Sequence, residues 1–152
     1  MTVDDEQNDE DPAEGPVPCR YAWAELDAAG KAKLWEELEG WVGWLRHRYQ
    51  LGSRIPPCWW RHEPVIEELT ALMAAHTAAY TCPPDEAQTP REDLTAWHTQ
   101  WLWPSIERLT RISDFTSCRP RDCGYRRHKQ STLDGLSDLI ATYAARAARG
   151  GA

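Results

Sequence analysis

Reactive side chains concentrate in two short runs, PPCWWRH at 56–62 and CRPRDCGYRRH at 118–128. Between them they carry Cys58, His62, Cys118, Cys123 and His128. Thiolates and imidazoles are the ligands that tetrahedral zinc takes, and two ligands from each of two loops distant in sequence can close a structural site. Cys58, His62, Cys118 and Cys123 make the best set, with His128 as a substitute for one of them. The spacing from Cys118 to Cys123 is looser than a paired CxxC, so a second reading stays open, in which these are buried free thiols beside packed histidines and no cofactor is held. Cys19 and Cys82 bring the cysteines to five. An odd number, behind an amino terminus that is acidic where an export leader would be basic and then apolar, points to thiols or metal ligands and away from a disulfide framework.

The second run is also basic. Arg119, Arg121, Arg126, Arg127 and Lys129 are interrupted by Asp122 and interleaved with Tyr125, a pattern that can neutralise phosphates and stack on an unpaired base. Trp59 and Trp60 are adjacent in a prolyl turn and cannot both face inward, so one of them, exposed beside Arg61, suits a partner interface. Enzyme signatures fail on inspection. HEPVI at 62–66 opens like a helical zinc-protease motif but has Ile66 where the second ligand histidine is required. There is no glycine-rich phosphate loop and no GxSxG elbow. The expectation is therefore a protein that is not an enzyme.

Helices must position these runs. Leu34, Leu38, Trp41 and Leu45, with Trp35, Val42 and Tyr49 alongside, give a broad apolar face over about 28–50, capped by Asp27 and ended by the Gly52–Pro57 segment. A second helix starts near Pro64, carries Val65, Leu69, Leu72, Met73, His76 and Tyr80, and stops before Pro83. Thr89, Pro90 and Glu92 read as a capping box for a third helix bearing Leu94, Trp97, Trp101, Leu102, Ile106, Leu109 and Ile112, kinked at Pro104. The spacing assigns Trp35, Trp41, Trp97 and Trp101 to the core. A last helix follows Ser131, with Leu133, Leu136, Ile140 and Tyr143. No segment alternates like a strand, so the fold class is all-α, a three- or four-helix bundle.

The formal charge of −7 belongs to the start of the chain. Asp4, Asp5, Glu6, Asp9, Glu10, Asp11 and Glu14 precede the first basic residue, Arg20, and the remaining 17 acidic residues are matched by 17 basic ones. Like charge and little apolar surface predict a disordered tail over 1–18. The Trp-rich core then spans 19–112, and 113–152 supplies the basic cysteine loop and a helix packing on the same domain. No apolar run reaches membrane-span length, so no membrane partner and a cytoplasmic location are expected.

LWEELEGWVGWLRHRY at 34–49, IPPCWWRHEPVIEELTAL at 55–72 and the Trp97–His98 pair together resemble an actinobacterial family of unassigned function, whose members look like short proteins of plasmids, integrated conjugative elements and phages. The likeness covers about 21–109. It implies a helical fold and a mobile-element context, and carries over no catalytic residue. The reading from sequence is a non-enzymatic accessory protein acting through protein contacts, with a nucleic-acid-binding protein as the alternative, its basic loop ordered by zinc, and an enzyme of unknown reaction third.

Overall fold

The computed structural model describes residues 15–129 and 135–150, and among them all regular structure is helical. Helix α1 runs Ala28–Arg48, and its N-cap Asp27 accepts a hydrogen bond from the Gly30 amide at 2.7 Å. It ends without glycine. Gln50 takes the left-handed conformation (φ 53°) that lets the Leu51 amide reach Arg46 O and the Gln50 amide reach His47 O, satisfying two terminal carbonyls while Leu51 is buried. The Gln50 side chain adds a bond to His47 O at 2.7 Å. Helix α2 (Glu63–Tyr80) has Pro64 in its first turn, where a missing N–H costs nothing.

Helices α3 (Asp93–Ala96) and α4 (Trp103–Ile112) are joined without a break by a π-helical turn, Trp97–Leu102. Two expectations are corrected here. Thr89 lies in a turn outside the helix, which starts only at Asp93 with no side-chain cap; Arg91 pairs with Asp93 at 2.7 Å and bonds Thr81 O at 3.2 Å instead. Pro104 does not act alone as a kink, since the wider π turn just before it accommodates a residue with no amide to donate. The inserted residue also changes which side chains share a face. Leu102, five residues after Trp97, lies beneath it, and both are fully buried, whereas Trp101 is rotated out and is 51% exposed.

Helix α2 packs against α1 and against α3, the π turn and α4, and the end of α1 meets the third rod directly, where Trp97 Nε1 donates to Tyr49 Oη at 3.2 Å. Leu38, Val42 and Leu45 of α1 meet Val65, Leu69 and Met73 of α2 and Trp97, Leu102 and Leu109 of the third rod in one core. Trp35 and Trp41 pack at its edge, half-buried. The chain before α1 joins them: Trp23 packs at a tilt 5.0 Å from Trp35 and donates from Nε1 to Thr70 Oγ1 at 2.9 Å, while Arg20 pairs with Glu37 at 2.7 Å. Helix α5 (Leu136–Gly150) was expected to pack on this domain, but all its residues are exposed and the core is complete without it. Of the acidic tail, 1–14 lie outside the described residues, as do Ser131 and Leu133 of the last predicted helix; 15–18 are exposed coil. No described helix is long and apolar enough to cross a membrane.

Candidate metal centre

The link from α1 to α2 is a series of tight turns. Trp59 donates to Pro56 O, Arg61 to Cys58 O and His62 to Trp59 O, all near 3.0 Å. Each bond spans three residues, the mark of a tight 3-10 turn, and this compact fold of the chain brings Cys58 Sγ to 3.5 Å from His62 Nε2. His62 then hands over to α2, its carbonyl accepting from Val65 and Ile66 at 2.9 and 3.1 Å.

The second pair of cysteines flanks a miniature hairpin. Arg119 and Asp122 exchange both backbone bonds (2.6 and 3.1 Å) around Pro120 and Arg121. Proline is favoured at the first corner of such a turn. The next pair outward, Cys118 and Cys123, is then a non-hydrogen-bonded pair, where side chains project to one face at close range. Their sulfurs are 3.9 Å apart. Gly124 makes this possible, because a Cβ there would stand 2.1 Å from Ser117 Oγ and 2.9 Å from Ser117 O.

The two pieces converge on His62 Nε2. Cys58 Sγ and Cys118 Sγ lie 3.5 Å from it and Cys123 Sγ 3.3 Å, and all four ligand atoms fall within 4.8 Å of one another. The Cys3His group expected from sequence is therefore assembled, and it could hold a metal ion such as zinc. His128 is not part of it and is exposed.

The His62 ring is fully buried, with Phe115 at 4.8 Å and Tyr125 at 4.6 Å. Its other nitrogen, Nδ1, lies 2.7 Å from Ser113 Oγ. Ser113 is itself buried, and its hydroxyl oxygen can accept from a protonated Nδ1, the tautomer in which the Nε2 lone pair faces the sulfurs. Burial lowers the His62 pKa, so the ring is held neutral, as a ligand must be. Burial and the neighbouring thiols push Cys58 up to about 12. Cys123 goes the other way: burial would raise it, but the Tyr125 amide, the Cys58 and Cys118 thiols and the charge of Arg61 outweigh that and lower it.

Around the centre, Trp59 is buried and Trp60 is 50% exposed with the Arg61 guanidinium 4.8 Å over its ring. Arg61, Arg119 and Arg121 line a shallow pocket of about 130 Å³ beside Cys58 and Cys123. Of the other residues expected at an interface, Tyr125, Arg126 and Arg127 make contacts within the protein and Lys129 is exposed. Tyr125 is half-buried against His62, Arg126 bonds Tyr125 O at 2.9 Å, and Arg127 pairs with Glu63 at 3.1 Å. Ser113, Phe115 and Gly124 were not legible as site residues, since each matters only through a neighbour remote in sequence.

No protein-family model, curated protein or solved structure matches this chain.

Proposed function

We propose that this is a non-enzymatic binding protein whose basic hairpin is fastened to the helical core by a structural zinc ion on Cys58, His62, Cys118 and Cys123. One observation carries the reading. Tetrahedral zinc, with bonds of about 2.3 Å to sulfur and about 2.0 Å to nitrogen, requires sulfur pairs about 3.8 Å apart and sulfur–nitrogen pairs about 3.5 Å apart. Here Cys118 and Cys123 are 3.9 Å apart, His62 is 3.3 to 3.5 Å from the three sulfurs, and every remaining ligand pair lies within 4.8 Å, so small shifts bring all four onto one ion. Four protein ligands close the coordination shell, whereas catalytic zinc keeps one position open for water or substrate. Three thiolates give the loaded centre a net negative charge, which Arg61 beside Cys123 complements.

On this reading the ion joins the start of α2 to a loop beyond α4, and the protein acts through the surface it fixes there. That suits an accessory protein of a mobile element, the context its sequence resemblance implies, working by binding and not by turnover. The test is metal analysis of untagged full-length protein. The expected result is about one zinc per chain, lost on Cys118→Ser or Cys123→Ser while the helical circular-dichroism signal persists. Fully folded, metal-free protein whose stability is indifferent to zinc overturns the proposal.

A further inference from the structure

Beside the metal centre lies a larger cleft of about 550 Å³, whose walls include Trp35, Trp59, Trp60, Arg46, Glu36 and Glu39. Pro57 and Trp60 also line the small pocket that holds Arg61, Arg119 and Arg121, so the two depressions adjoin across the Trp60 indole. From these we infer that the surface binds single-stranded nucleic acid, with an unpaired base against Trp60 in the larger cleft and the adjoining phosphate in the arginine pocket.

Each part of the juxtaposition has a chemical role. Trp60 is half exposed, and Arg61 covers it at 4.8 Å; a base on the indole extends that stack, and every base has a face to offer. Three arginines and one carboxylate, Asp122, line the small pocket; Arg119 is held there through Nη1, which bonds Thr116 O at 2.8 Å and Cys118 O at 2.9 Å and leaves its other nitrogens to a ligand. It suits a phosphodiester, whose two non-bridging oxygens match the two parallel N–H bonds of a guanidinium fork, better than a ring system. In the larger cleft Glu36 and Glu39 repel phosphate, which orients the strand with its backbone toward the hairpin. Arg46 Nε is buried in that wall with no hydrogen-bond partner among the described residues. Arg46 lines the cleft, arginine is always a donor, and all bases carry ring or carbonyl acceptors, so its side chain offers a bound base a hydrogen-bonding partner. A paired base inside a duplex cannot enter the cleft.

The inference rests on the zinc reading only in that the ion holds Arg119 and Arg121 in place. It is tested with zinc content and binding measured on the same full-length preparation. Fluorescently labelled oligo(dT) and oligo(U) of about twelve nucleotides, and a duplex of equal length, are titrated at rising salt. Expected is binding of one or both single strands with tryptophan quenching, and steep weakening with salt. Trp60→Ala should lose about tenfold or more and Trp60→Phe much less. Arg119→Ala with Arg121→Ala should flatten the log–log salt slope by about 0.7 per phosphate contact removed. The oligo(dT) and oligo(U) arms separate DNA from RNA as the source.

Zinc-replete protein that binds neither strand at low salt overturns this inference, leaves the zinc reading standing, and turns the surface over to a protein partner. Equal binding of duplex, or affinity unchanged in Trp60→Ala, also overturns it. Folded, metal-free protein that binds single strands with the stated Trp60 dependence supports it and overturns the zinc reading alone. Folded, metal-free protein that binds nothing overturns both.

Discussion

Two histidines show how one residue type is put to different uses by its neighbours. His62 presents Nε2 to three sulfurs and commits Nδ1 to Ser113 Oγ at 2.7 Å. Removing an outer-shell partner of this kind typically costs 10- to 100-fold in metal affinity. Ser113→Ala is therefore expected to weaken zinc by that factor with stoichiometry intact, as read by competition with a chromophoric chelator; unchanged affinity would show that the hydroxyl does not orient the ring. His76 has no metal to serve. It sits among Trp44, Tyr80 and Trp97, with centroids 4.5 to 4.9 Å away, and its Nδ1 accepts from Trp41 Nε1 at 3.3 Å. Burial, with His98 adding, lowers its pKa.

The consequence for stability has a definite sign. Below about pH 6.5 the unfolded chain takes up a proton that folded His76 resists. Its contribution is complete above that pH and is lost as pH falls toward the lowered folded value. With zinc saturating, so that His62 stays ligated, the urea midpoint should fall between pH 7.5 and 5.5 in the native protein and fall less in His76→Gln. Parallel losses in the two proteins would assign the pH dependence elsewhere.

At the level of elements, the hairpin between Cys118 and Cys123 explains why a spacing that reads as loose in sequence gives adjacent sulfurs. Pro120 was a legible turn signal, but that Arg119 and Asp122 would pair, and so turn both cysteines to one face, depends on hydrogen bonds that sequence patterning does not report. Gly124 is the element's weak point. Gly124→Ala should cost about 1–3 kcal/mol through overpacking and loosen the metal, because the added Cβ meets Ser117. Adding Ser117→Gly removes the two nearest contacts, at 2.1 and 2.5 Å, and leaves the one to the backbone oxygen of residue 117 at 2.9 Å, so the double variant should recover part of both losses in chelator competition and denaturant unfolding. No recovery would place the fault in the backbone. The π turn teaches the same lesson in the other direction. Counting by 3.6 put Trp101 in the core; one extra residue in the turn delivered Leu102 to that place and left Trp101 half exposed.

Taken whole, the molecule is a three-rod core with a clasp, and α5 outside it. Because no residue of α5 is buried, a chain ending at Gly135 should keep the denaturant midpoint and zinc content of the full protein; a clear drop in either would mean that α5 packs in solution. The sequence alone determined the helical class, the spans of α1 and α2 to within a few residues, the Asp27 cap and four candidate ligands, because periodicity, capping and ligand chemistry are local properties. Tertiary structure decided the rest. It chose His62 over His128, supplied Ser113 and the aromatic walls, exposed Trp60 while burying Trp59, and left α5 apart. Those outcomes depend on which surfaces meet across dozens of intervening residues, and there burial and hydrogen-bond satisfaction, more than local preference, set the free energy.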